Sequence, residues 1–283
     1  MEERTLVNLP PELERVIFEL AAWHYPDTMT TLILVAKKVC IWIEPQLYRV
    51  FLSNGTTERL LQMMQSKPPE FLREHVHHLA LSSIMASSDV TRVLSTCTNV
   101  RDLAMWTGHT YPELLSDLRH LTHLRRLSIN LFDLFGGHTG FQLPPAEALP
   151  FAHLTHLDVF STMPETLWPV FGMLPRLTHL SFSDNYTPEM IQMAFDSCAV
   201  LQLLVVVWTH ADADVDAENS VDTSEITDPR FCEVLCEMFE SDWEEGAWGG
   251  IDFWRRAEIA LQIRNERGSV SQERRAVLAQ NSE

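Results

Sequence analysis

Glycine is scarce in this chain, 10 of 283 residues, and no Gly-rich phosphate loop, Gly-x-Ser-x-Gly elbow or His-Glu-x-x-His signature occurs. The familiar phosphate, acyl-transfer and metalloprotease devices therefore have no support. Bases are also few. Twenty-one Lys and Arg stand against 39 Asp and Glu, a formal charge of −18, which opposes nucleic-acid partners because such binding depends on cations that neutralise phosphates. The one Arg-bearing stretch, 255–275, is interrupted by Glu258, Glu266 and Glu273. Long apolar runs are missing too: Leu32 to Ala36 and Leu203 to Trp208 fall far short of the roughly 20 residues of a membrane span. The acidic opening Met1-Glu2-Glu3-Arg4, with no apolar stretch after it, predicts no secretory signal. Five cysteines, Cys40, Cys97, Cys198, Cys232 and Cys236, form no paired framework and predict reduced thiols in the cytosol or nucleus. What the chain does have is apolar content, 46% of residues, enough to bury a core at this length.

That content is patterned. An apolar residue, two spacers, Leu, one spacer and another apolar residue recur at Val76/Leu79/Leu81, Val100/Leu103/Met105, Leu124/Leu127/Ile129, Leu154/Leu157/Val159, Leu177/Leu180/Phe182 and Leu201/Leu204/Val206. The central leucines are 24, 24, 30, 23 and 24 residues apart, and a seventh copy is expected at Phe231/Val234/Cys236. Helical segments are expected between them at 89–94, 112–118, 145–149, 165–173 and 188–195, with Thr187-Pro188 as a start signal for the last. A strand, loop and helix at a period near 24 match the length and consensus of leucine-rich repeats. Cys97 and Cys198, each three residues before an anchor, resemble the cysteine-containing subtype. The expected fold is an α/β solenoid with parallel strands on its concave side and helices outside.

The first fifty residues read differently. Leu13, Val16, Ile17 and Leu20 share a helical stripe behind the prolines at 10 and 11. A second helix over 30–43 aligns Leu32, Val35, Val39, Trp42 and Ile43, and a third is expected over 45–51. The segments "LPPELERVIFEL", "LVAKKV" and "PQLYRVF", in this order and spacing, resemble an F-box. With the repeats downstream, and with Asp242-Trp243-Glu244 and Gly249-Gly250-Ile251-Asp252-Phe253-Trp254, the chain looks like the F-box-like repeat proteins of mushroom-forming fungi. The resemblance implies a Skp-type adaptor bound through Leu9, Pro10, Leu13, Val16, Ile17, Leu20, Val35 and Trp42, and a non-enzymatic role as substrate receptor of a cullin-RING ubiquitin ligase. The expected organisation is a helical module over 1–52, a solenoid over 53–254 with an acidic insertion near 211–229, and a helix and tail over 255–283.

Other constellations favour bland readings. His78, His156 and His179 share the outward position of three repeats, and neighbouring strands about 4.8 Å apart let His156 meet His179. With no third and fourth donor evident, polar strand surface is preferred to a metal site. Asp212, Asp214, Asp216 and Glu218 alternate as in a calcium loop, but Ala217 and Thr223 replace the turning glycine and the closing carboxylate. Trp243, Trp248 and Trp254 are read as an apolar cap on the last repeat's edge. No cofactor, metal, membrane or nucleic acid is expected. The target-binding surface is expected on the concave face, at His78, Asp102, Trp106, Arg126, His156, Asp158, Phe160 and His179, with Trp106, Arg126 and Phe160 as anchors. The competing reading is a stand-alone repeat scaffold whose F-box-like helices only cap the solenoid. An enzyme using the histidine-bearing face ranks third.

Overall fold

A computed structural model of the chain describes residues 9–53, 57–81, 85–106, 112–160, 163–183, 186–209, 223, 226–266 and 275–276. The alternating acids at 212–218 and most of the acidic insertion lie outside these residues, as does most of the tail beyond 266.

The chain opens with α1, Pro11–His24, α2, Met29–Leu32, and α3, Lys37–Leu47. Proline at the first position of α1 costs nothing, because that N–H has no helical partner. Two expectations need correction here. The single helix over 30–43 is two helices, broken where Ala36 adopts extended backbone. The third helix over 45–51 does not exist as such: Pro45 to Leu47 close α3, and Val50–Ser53 form strand β1. The Arg49 carbonyl accepts from the amides of His77 and His78 at 3.0 Å, so pairing with the next strand overrides local helical preference. The last helix before the sheet, α3, therefore ends at Leu47, and β1 begins at Val50.

The sheet runs β1, β2 (His78–Leu81), β3 (Asp102–Met105), β4 (Arg126–Ile129), β5 (His156–Val159), β6 (His179–Phe182), β7 (Leu203–Trp208) and β8 (Phe231–Leu235), with a two-residue β9, Arg275–Ala276, at the far edge. Every pairing is parallel and the spatial order equals the chain order. This is an open α/β sheet of solenoid-like arrangement. Phe51, Leu79, Leu103, Leu127, Leu157, Leu180 and Leu204 occupy one continuous row of register partners, and the six leucines are buried in one core. The row continues to Phe231, not to Val234. The expected seventh copy is displaced by three residues, an odd number, so Val234 faces the opposite side of the sheet from the leucines.

Parallel strands need crossovers, and these cover the leucine face. They comprise α4 (Thr57–Ser66), α5 (Pro69–His75), α6 (Ser87–Thr96), α7 (Leu114–Leu118), the short α8 (Leu131–Leu134) and α9 (Gly137–Gly140), 3₁₀ turns at Ala146–Ala148 and Glu165–Met173, and α10 (Pro188–Ser197). Pro169 lies within the second 3₁₀ segment, where its missing N–H disfavours a continuous α-helical ladder. The extra length of the 30-residue step after Leu127 folds as α8 and α9, turned by Gly136 at φ 101°; a Cβ there would meet the Gly140 carbonyl oxygen at 2.7 Å. Thr187 caps α10 by accepting from the Met190 amide at 3.2 Å.

Two last helices, α11 (Phe239–Ala247) and α12 (Phe253–Glu266), pack on the other face. Leu203, Val205, Val207, Cys232, Val234 and Cys236 form a second core with Phe253, Trp254 and Ala257. A third small core holds Ala22, Met29, Val39 and Ile43, with Phe18, Trp42 and, from the far end of the chain, Trp248 against it. Among the described residues no helix is long and apolar enough to cross a membrane.

Candidate functional site

Helix α1 has two apolar faces, and only one is covered. Phe18 and Ala22 turn into the third core, while Leu13, Val16, Ile17 and Leu20 are 51%, 48%, 52% and 52% exposed. Leu9, Pro10 and Val35 are exposed as well. Residues 13, 16, 17 and 20 follow the i, i+3, i+4, i+7 spacing of one helical stripe, so the exposure is contiguous along two turns. Trp42 is different: it is half-buried, with its ring centroid 6.5 Å from that of Phe18, and it supports the module from within. A cleft of about 400 Å³ borders the stripe, lined by Val16, Glu19, Leu20, Trp23, Gln46 and Arg49. Gln46 Oε1 and Arg49 Nε are buried there without a hydrogen-bond partner among the described residues. Trp23, at the rim of the same cleft, ties the module to the rest of the chain: it meets Trp248 edge-on at 5.9 Å and carries the Arg49 guanidinium over its ring at 5.0 Å. The stripe does not reach the first crossover helix: Leu60 is buried in the main core instead.

Six of the eight residues expected on the concave face, His78, Asp102, Arg126, His156, Asp158 and His179, lie on one sheet face, while Trp106 and Phe160 follow the ends of β3 and β5. Register places His78, Asp102, Arg126, His156 and His179 in one row, and Ser128, Asp158 and Ser181 in the next. That face is not open, however. Trp243 donates to Asp102 Oδ1 at 3.1 Å and meets the Trp106 ring edge-on at 6.0 Å. Arg126 donates to Asp252 Oδ2 at 2.9 Å. Trp254 stands edge-on over His156 and His179, at 5.2 and 5.9 Å. Asp102, Asp158 and His179 are buried, and Trp106, Arg126, His78, His156 and Phe160 are half-buried. The expectation that Trp243, Trp248 and Trp254 seal the last edge is corrected accordingly: they reach β3, the N-terminal module and strands β5 and β6. Sequence reading missed this because a strand's alternation shows which residues share a face, but not what lies upon it. The signal was the run of tryptophans at 243, 248 and 254, too many for one edge.

Beneath the cover lies a polar network. The Trp106 indole donates to Ser128 Oγ at 3.0 Å, and Ser128 donates to Asp158 Oδ2 at 2.5 Å. Ser181 and Ser183 donate to Asp158 Oδ1 at 2.7 and 3.1 Å. Burial still pushes the Asp158 carboxyl above its ordinary value, against these three hydroxyls. The His156 imidazole is lowered to about 2, first by burial and then by the neighbouring His179 and Arg126. Asp242 on α11 and Arg256 on α12 form a buried pair at 2.6 Å, and Asp242 also accepts from the Phe253 amide at 2.8 Å. These contacts fix two helices over a strand face.

No protein-family model matches this chain, and no curated protein matches it.

Proposed function

We propose that this chain is a non-enzymatic interaction protein, an F-box-like leucine-rich-repeat substrate receptor whose first helix docks a Skp-type adaptor and so links a target protein to a cullin-RING ubiquitin ligase. One observation carries the reading: the stripe Leu13, Val16, Ile17 and Leu20 remains about half exposed while the opposite side of the same helix anchors the module. A helix that only capped the sheet would turn its most apolar stripe inward, since each such side chain gains roughly 1.5–3 kcal/mol on full burial. Contiguous exposed apolar surface is characteristic of interaction sites, and the cleft beside it holds two unpartnered polar atoms for a partner to satisfy. The stacked leucine row supports the repeat reading. The covered strand face moves target recognition away from Asp102, Asp158 and His179, because burial under α11 and α12 leaves them unable to meet a partner in this arrangement.

The test is reconstitution. The full chain mixed with a purified Skp-type adaptor is expected to co-elute in size-exclusion chromatography as a one-to-one complex. Separate elution at concentrations where the adaptor binds an established F-box protein would remove the adaptor reading and leave the scaffold.

A further inference from the structure

We propose that His156, His179 and Glu258 form a binding site for a divalent transition-metal ion of the zinc type, which clasps α12 to strands β5 and β6. One ligating atom from each lies within 4.8 Å of the other two. The third donor, which alternation along the strands could not supply, comes from α12.

Each ring is held from behind by a threonine. Thr155 Oγ1, which also donates to the Arg125 carbonyl at 3.0 Å, lies 2.9 Å from His156 Nδ1. Thr178 Oγ1, which also donates to the Thr155 carbonyl at 3.1 Å, lies 2.8 Å from His179 Nδ1. The Nε2 atoms are left for the cluster: His179 Nε2 lies 3.3 Å from Glu258 Oε1, and His156 Nε2 is buried with no hydrogen-bond partner among the described residues. In the tautomer that carries the proton on Nδ1, both rings offer an Nε2 lone pair beside a carboxylate, and an ion serves all three donors together.

The surroundings fit. Metal-bound histidines characteristically have the other ring nitrogen held by an outer partner, the role taken here by the two threonines. The other carboxylate oxygen, Glu258 Oε2, accepts from Arg255 at 2.7 Å, which orients it. Arg126, the cation facing the cluster from the sheet among the described residues, is paired with Asp252 at 2.9 Å. Two imidazoles and one carboxylate suit zinc, copper or cobalt better than the all-oxygen ions calcium and magnesium. A cleft of about 580 Å³ lined by Gln202, Gln262, Asn265 and Glu266 adjoins His179 and Glu258, so water can complete four-coordination. The rings lie face to face, 4.1 Å between centroids and 9° apart.

Calorimetric titration of the tag-free full chain, stripped with a chelator, with Zn²⁺ and optical titration with Co²⁺ test the site. One ion per chain is expected, with a higher melting temperature on loading. Glu258→Gln and His156→Gln should lose the ion, and Thr178→Val should weaken it about ten- to a hundredfold through loss of ring orientation. Glu258 lies at the surface side of the cluster, so its variant should keep the metal-free circular dichroism spectrum and separates lost binding from lost fold. No bound ion in the wild-type chain, or wild-type affinity in both Glu258→Gln and His156→Gln, overturns the proposal.

Discussion

Arg126 on β4 and Asp252, 126 residues later in the chain, meet at 2.9 Å over the strand face, and through this pair the end of the chain closes the surface that the middle of the chain builds. Asp252 is buried and also accepts from the Arg255 amide at 2.8 Å. Replacing Arg126 with alanine leaves a buried carboxylate short of its cation. A loss of about 1–3 kcal/mol is expected, less than for a sealed pair because Arg126 is about a third exposed. Urea unfolding measures it, and limited proteolysis should show earlier cleavage within α12.

The Asp242–Arg256 pair is sealed more completely, with side chains 0% and 6% exposed. Arg256→Met alone should cost about 3–5 kcal/mol, whereas Asp242→Leu combined with Arg256→Met should recover most of that loss, since an apolar pair carries no desolvation penalty. A double variant as unstable as the single one would show that packing, not charge, governs the joint between α11 and α12.

Thiol chemistry offers a check that needs no mutation. Burial pushes Cys97 and Cys236 up to about 12, and Cys198 and Cys232 up to about 11, while Cys40 is only partly buried. Thiolate is the reactive form, so a disulfide reagent near pH 8 should titrate one of the five cysteines rapidly in the native chain and all five in denaturant. Two or more fast thiols would contradict the burial of Cys97, Cys198, Cys232 and Cys236.

Leu127 and Leu157 are register partners, 2% and 1% exposed. Alanine at either should cost about 2–5 kcal/mol through lost burial and a cavity. Leu13→Ala, on the exposed stripe, should stay within about 0.5 kcal/mol. Equal effects at 13 and 127 would contradict the placement of both.

The leucine row was legible because its period and its inward alternation repeat the same instruction in every strand; Leu79 to Leu204 stack as the spacing predicts. The row's last step was not, because the interval after Leu204 differs in length and an odd offset sends Val234 to the other face. The stripe on α1 was visible as a periodicity, but sequence alone cannot distinguish an inward stripe from an outward one. Only Phe18 and Ala22 packing against Met29, Val39 and Trp248 decides it. Likewise Val50 and Phe51 read as the end of a helix until β2 pairs with them, and Glu258 acquires a relation to His179 only when α12 folds back over β6.

Whether the α1 stripe is an interface or a cap is decided by paired measurements on Val16→Asp. Adaptor affinity by calorimetry and melting temperature by differential scanning are recorded on the same preparations of wild type and variant. A charge at an exposed position costs the isolated fold little, but it is severely unfavourable inside a desolvated contact. An interface gives an unchanged melting temperature with adaptor binding lost. A large fall in melting temperature, or wild-type affinity in the variant, would contradict it.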